Sequence, residues 1–332
     1  VWPLYGLNQQ HTRAFLAADA PHPPFRKVWS FRGAALLEFP PVIGLGRLVQ
    51  LADNGVLNAI AKNSGRVLWR RKLGALAAST PAVGGASVYV SLLRRNRFTD
   101  AGRIVAVSLT DGRVRWSRPL PSRSESSPLL HSGRLYVGSE DGTVLCLDAH
   151  SGHVRWRYRA AGAVKASPTL AHGVLFFGDY GGQVQAVRAR DGKRIWVARP
   201  PGAGTFYATA AVDFGRVFIG STSGAEYALS QAGGRVDWVK RTGSYVYSSA
   251  AVASVRGAGP TVYFGSYDGY FYALNARTGA VRWTYPAGGR ISGSPTIIGR
   301  LVYFAVLGTR STYGLSASTG RVVFRMNQGS FD

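Results

Sequence analysis

The chain has 332 residues, 46% of them hydrophobic and 17% charged, which is ample for a buried core and too even for a disordered or fibrous protein. Forty Lys and Arg against 16 Asp and Glu give a formal charge of +24, and 34 of the cations are Arg. One Cys excludes an internal disulfide and any Cys-based zinc or iron–sulfur site, and no apolar run approaches the ~18 residues of a membrane helix. Val1 in place of Met, with no secretory leader, is expected of a processed or trimmed chain.

In chain order, residues 1–27 read as an N-terminal extension and 28–332 as a single repeat domain. The domain opens on FRKVWSF, where Trp29 lies 40 residues before Trp69. The first full unit carries Pro41, Gly46, Gly55, Gly65 and Trp69. The same spacing recurs as Pro128, Gly133, Gly142, Gly152 and Trp156, and again as Pro168, Gly173, Gly182, Gly192 and Trp196. A further copy reads Gly215, Gly224, Gly234 and Trp238, with Ala210 at the Pro position. Three units vary, ending in Gly102–Gly112–Trp116, Gly269–Gly279–Trp283 and Gly320–Phe324. The seven closing aromatics stand 40 to 47 residues apart.

Each unit predicts four strands. Strand A follows the Pro, as in TLAHG, and strand B is an apolar run such as LYVGS or VYFGS. Strand C follows a turn such as Asp141-Gly142 or Asp268-Gly269, a hairpin signal, and strand D is the G-x-x-x-W tail. Consecutive apolar residues in strand B call for sheets covered on both faces. Four-stranded sheets repeating near every 40 residues are the blades of a β-propeller, an all-β fold of antiparallel sheets. Trp29 is in phase as a D strand with no A–C strands ahead of it. Two arrangements fit: an eight-fold ring with seven complete blades and an incomplete last one, its other strands outside this chain, or a closed seven-bladed ring.

The segments VGSEDGTVLCLDAHSGHVRW and VYFGSYDGYFYALNARTGAVRW resemble the pyrroloquinoline-quinone (PQQ) type propeller repeat, G-x-x-D-G-x-x-x-A-L-D-A-x-T-G-x-x-x-W. The resemblance spans residues about 28 to 325. It implies one of two groups: quinoprotein dehydrogenases holding PQQ and calcium, or cofactor-free scaffolds such as the lipoprotein subunit of the outer-membrane β-barrel assembly machinery. An extracytoplasmic location, periplasmic, cell-surface or membrane-anchored, is implied by the resemblance alone.

Residues that obey the repeat are assigned to structure. Trp69, Trp116, Trp156, Trp196, Trp238 and Trp283 are read as blade-to-blade packing. Arg66, Arg113, Lys193, Arg235 and Arg321 follow the third Gly and are read as a solvated strand edge. Cys146 stands where other units have Ala, as a buried filler. Calcium requires six to eight oxygens, and the 16 acids lie largely in repeat turns with no close group of three outside them. No zinc-protease motif, nucleophile elbow or phosphate loop occurs. Neither catalytic nor metal residues are assigned, and no cofactor is expected.

A site is expected where the units differ. Antiparallel A-B-C-D order puts the D–A and B–C loops on one face. Three positions ahead of the Pro or Ala landmark stand Ala78, Glu125, Lys165, Tyr207, Tyr247 and Ser292; two earlier stand Leu76, Arg123, Ala163, Thr205, Tyr245 and Arg290. The B–C insertion SLLRRNRFTDAGR adds Arg94, Arg95 and Arg97, and Phe206 adjoins Tyr207. Aromatic rings and Arg are favoured at protein-binding hot spots, so this face is expected to bind a protein or peptide, its cations attracting an acidic group. The leading expectation is therefore a non-catalytic envelope scaffold. The alternatives are a PQQ- and calcium-dependent oxidoreductase, and a binder of anionic envelope polymer or nucleic acid; the latter lacks a reading module, and the Arg is dispersed through the repeats.

Overall fold

The computed structural model describes residues 2–96, 98–99 and 101–327. The described residues contain no helix and form seven sheets of the A-B-C-D order, six of four strands and a seventh that gains a short fifth strand. The fold class is the β-propeller that the repeat predicts. The blades cover residues 42–72, 82–119, 129–159, 169–198, 211–241, 251–286 and 296–327, called here blades 1 to 7.

The residues fall into two compact units. The first holds Val1–Gln9, Arg26–Pro168 and Arg188–Lys193, thus blades 1 to 3 and the C–D turn of blade 4. The second holds Gln10–Phe25, Thr169–Val187 and Arg194–Asp332, thus the rest of blade 4 and blades 5 to 7.

Within each blade, burial falls from strand C to strand D. Strand C of blade 3, Thr143–Asp148, is buried along almost its whole length, whereas strand D, Val154–Arg159, alternates half-buried and exposed residues. Apolar runs thus fill the interior of each sheet, and the outer strand turns its arginines to water. That accounts for the dispersed positive charge. Arg66, Arg113, Lys193, Arg235 and Arg321 are all exposed, as a solvated edge requires.

Blade-to-blade packing follows one rule. Every C–D pair carries a bulge just past its central small residue, Ala in five blades, Cys146 in blade 3 and Gly314 in blade 7, which re-aims the closing aromatic. Each repeat Trp then lays its ring on the third Gly of the following unit, as Trp69 does on Gly112 and Trp238 on Gly279. Its indole N–H donates to the carbonyl three residues before that Gly: Trp69 to Leu109 (3.0 Å), Trp116 to Ala149 (3.0 Å), Trp196 to Gln231 (3.1 Å) and Trp283 to Ala317 (3.1 Å). Trp29 obeys the same rule on Gly65 and Lys62, yet forms no strand. A second ladder is set by the hydroxyl residue just before the landmark of blades 2 to 7. In the first unit Thr80 N–H donates to Ser127 Oγ and Ser127 N–H to Ser167 Oγ; in the second, Thr209 N–H donates to Ser249 Oγ and Ser249 N–H to Ser294 Oγ.

The N-terminal extension is bound along strands A rather than free. In the first unit Trp2 exchanges backbone hydrogen bonds with Ile43, and Val83 N–H donates to Pro3 O. In the second, Val212, Val252 and Ile297 donate to Gln10, Thr12 and Arg13, and Ala14–Phe15 pairs parallel to Thr296–Ile298. A strand A has a free inner edge, and an extended segment satisfies it. His11 is fully buried here, its Nδ1 3.0 Å from Thr169 Oγ1, and burial, with Arg13 nearby, pulls its pKa down to about 3.

Candidate functional site: the D–A and B–C loop face

One backbone contact builds this face blade by blade. In the first unit the amides of Asp53, Arg94 and Glu140, in B–C turns, donate to the carbonyls of Leu36, Leu76 and Arg123, in D–A loops. In the second unit Thr222, Tyr267 and Leu307 donate likewise to Thr205, Tyr245 and Arg290. The variable positions of the D–A loops are therefore clamped to variable positions of the B–C turns. The two kinds of loop share a face, as the strand order predicts, and their side chains are the ones no repeat rule dictates.

In the second unit this clamp assembles four tyrosines. Tyr247 is the hub, with ring centroids 5.5 Å from Tyr207, 5.5 Å from Tyr245 and 5.1 Å from Tyr267, at interplanar angles of 87°, 63° and 69°. Edge-to-face packing of this kind suits the ring quadrupoles and holds the rings without stacking them flat. The Arg290 guanidinium lies over the Tyr267 ring at 5.8 Å, and Tyr245 remains 48% exposed. Partial burial, helped by the Tyr267 and Tyr245 hydroxyls, raises the Tyr247 pKa, so that hydroxyl stays protonated at physiological pH and can donate a hydrogen bond.

The first unit assembles something different. Lys165 Nζ sits 2.6 Å from Glu125 Oε1 and 3.4 Å from Glu140 Oε1, and Arg123 Nε approaches the same Glu140 oxygen at 3.9 Å. Lys165 and both carboxylates are no more than about a fifth exposed. Glu38 adds a carboxyl whose pKa is raised by burial and by repulsion from Glu125 and Asp53. Lys165 and Arg123 are thus committed to internal acids, and the expectation of cations free to attract an acidic group fails in this unit. Arg94 and Arg95 are half-buried in the insertion, which is pinned by Ala75 N–H to Arg94 O and Arg95 N–H to Ala101 O. Arg97 lies outside the described residues.

Phe206 is corrected outright: it is fully buried, packs edge-on against Tyr227 and sits against Gly178, so it is core and not loop face. Its neighbours Thr205 and Tyr207 face the other way, as alternation in an extended segment demands. Cys146 is fully buried, and burial pushes its thiol up to about 11, as befits a filler and not a nucleophile. Residues that sequence reasoning missed are Tyr267 and Glu140. Both stand immediately before an Asp-Gly turn, in Ser-Tyr-Asp-Gly and Ser-Glu-Asp-Gly, where Asp53 and Thr222 occupy the matching place. That position varies from unit to unit, and comparing the turns alone would have exposed it.

Glu226 was also missed. It lies on strand C of blade 5, Ala225–Ser230, fully buried, and neither carboxyl oxygen has a hydrogen-bond partner. Glu226 stands two residues before the Ala228–Trp238 pair; two residues before Ala59–Trp69 stands Leu57. An acid therefore occupies an apolar niche of the repeat, and burial raises its pKa well above the usual carboxylate value.

A family model described as the outer membrane protein assembly factor BamB matches residues 26–131, 100–251 and 246–330, nearly the whole propeller. The chain belongs to this BamB family. BamB from Moraxella catarrhalis shares 20% identity over 88% of this chain and 85% of that one, with a TM-score of 0.70. The computationally designed Ika8 protein superposes with a TM-score of 0.78 at 13% identity, covering 92% of this chain and 91% of that one. The quinohemoprotein alcohol dehydrogenase ADHIIG from Pseudomonas putida HK5 gives 0.79 at 14% identity, over 98% of this chain and 72% of that one. No curated protein sequence matches the chain. BamB-type repeats and dehydrogenases thus share this architecture, and likeness at such identities concerns the fold alone.

Proposed function

We infer that this BamB-family propeller is a non-catalytic scaffold of the cell envelope that binds a protein or peptide through the Tyr207–Tyr245–Tyr247–Tyr267 cluster. The observation that carries the reading is that cluster itself. Four tyrosines, clamped by backbone hydrogen bonds and capped by Arg290, offer rigid contact area at low entropic cost, the composition of a protein-binding hot spot. The family match supports an envelope setting.

A quinone–calcium centre does not fit the residues present. Among the described residues no group of three or more His, Cys, Asp or Glu is arranged to hold a metal ion. Glu125 and Glu140 are spent on Lys165, and Asp179 accepts from Gln185 and from the Gln183 backbone. Glu226 stands alone in an apolar niche.

The test places a photo-crosslinking residue at 247 or 290 and, as control, at the exposed Arg113 or Arg235, and crosslinks in envelope extracts of the source cell. Discrete adducts from 247 and 290 that excess unlabelled protein competes away, and that the control positions do not give, support the reading. Equal adducts from all four sites refute it. Titration with PQQ and calcium that gave a saturable quinone spectrum and dye-linked turnover would establish the oxidoreductase instead.

A further inference from the structure

Beside the loop face, blades 1 and 2 flank a cleft of about 430 Å³ in the first unit, lined by Arg70, Arg71, Lys72 and Arg103 over a floor that includes Leu73 and Val105. Arg70, Arg71 and Lys72 end strand D of blade 1, Val67–Lys72; Arg103 opens strand C of blade 2, Arg103–Ser108. Arg71 is two residues past Trp69 on the same strand, so it points, like that ring, toward blade 2. Arg103 shares its face with buried Val105 and points back. Among the described residues no Asp or Glu lines the cleft.

Elsewhere in this protein neighbouring cations find a carboxylate: Arg159 takes Asp141, Arg155 takes Asp148, and Arg216 and Arg235 share Asp237. Here like charges converge: Lys72 donates to the Asn54 carbonyl at 2.5 Å, and among the described residues no carboxylate answers the arginines. The Nε of Arg103, like that of several other arginines, is buried with no hydrogen-bond partner among the described residues, and here a ligand, ion or water can satisfy it. The repeat does not demand this. The corresponding pairs of positions at two other blade junctions are Arg118 with Thr143 and Ala198 with Ala225, neither of them doubly cationic.

We propose that the cleft bounded by Arg70, Arg71, Lys72 and Arg103 binds a phosphate group carried on a small organic moiety. Guanidinium forks facing each other match the paired oxygens of phosphate, and the ammonium adds a third positive contact. Leu73 and Val105 provide apolar surface for an attached glycerol-like group. The same chemistry is presented by a free phosphate ester and by a phosphatidylglycerol headgroup. A bound anion would also relieve repulsion between the two arginines.

The test uses the full chain. Thermal melts are recorded with inorganic phosphate, with glycerol 1-phosphate and with chloride at equal ionic strength, and flotation compares phosphatidylglycerol with phosphatidylcholine vesicles. Arg71→Gln and Arg103→Gln are compared with Arg113→Gln, which changes an exposed arginine outside the cleft. Phosphate or its ester should raise the parent melting temperature saturably, with affinity falling at least about tenfold in both cleft variants and unchanged in Arg113→Gln. Vesicle binding that the cleft variants lose, without a response to the free esters, assigns the headgroup as the source and also supports the proposal. Equal losses in all three variants, or no binding of any probe, overturn it. Should Arg103→Gln fail to fold, the exposed Arg71 position decides. Tyr247→Ala should leave the phosphate response intact, so failure here is separable from failure of the tyrosine surface.

Discussion

Trp196 and Gly234 form the contact on which each blade junction depends, and they permit a double-mutant test. Gly234 has φ of +72°, and a Cβ added there would lie 2.6 Å from Trp196 Cε3. Gly234→Ala therefore costs about 1–2 kcal/mol for the left-handed backbone. It costs about 1–3 kcal/mol more because the ring must shift, which also strains the 3.1 Å bond from its indole N–H to Gln231 O. Trp196 is only 9% exposed, so Trp196→Ala should cost about 3–5 kcal/mol. With the ring gone, only the backbone part of the Gly234→Ala penalty survives. The two changes together should thus cost about 1–3 kcal/mol less than the sum of the single effects. Urea unfolding of the four proteins, followed by circular dichroism, measures this directly. Strict additivity would show that the ring does not press on the glycine and would refute the packing rule.

Other outcomes follow from single groups. Glu226→Leu, which restores the residue that blade 1 uses, should stabilise the protein at pH 7 by about 1–3 kcal/mol, read as a higher melting temperature. It should also remove a pH slope: the folded protein holds the Glu226 proton above the pH at which the unfolded chain releases it. Stability therefore falls as pH rises from about 4.5 toward the folded pKa, and a variant with an unchanged slope would contradict the assignment. His11 works in the opposite sense. The folded state excludes its proton down to about pH 3, so stability should fall as pH drops below 6.5, and His11→Asn should flatten that limb. Cys146 should resist thiol reagents in the folded protein and react only as the chain unfolds; rapid labelling of native protein would contradict its burial. Lys165→Met strands two half-buried carboxylates and should lower the melting temperature clearly, whereas Arg159→Met removes an arginine that is 67% exposed and should change it little.

The seven four-stranded units, their strand order and the role of the tryptophans were legible from spacing alone, whereas whether an eighth blade completes the ring was not. A propeller repeats one local solution, so the Gly that must adopt positive φ and the Trp that must cover it recur at fixed intervals, as Gly234 and Trp196 do. The shared face of the D–A and B–C loops was legible for the same reason, since strand alternation dictates it. What the side chains do on that face was not. Lys165 and Tyr247 hold the same repeat position, yet one is consumed by Glu125 and Glu140 and the other becomes the hub of a tyrosine cluster. The difference lies in the B–C turn that each meets, Glu140 for one and Tyr267 for the other. Phe206 and Tyr207 are adjacent and both aromatic, and only the direction of the backbone sends one into the core. Periodicity determines which positions repeat, because it reflects hydrogen bonding and packing within one blade. Charge pairing, ring contacts and the orphaned Nε of Arg103 depend on which residues of the next blade come within a few ångströms, and only the tertiary structure decides that.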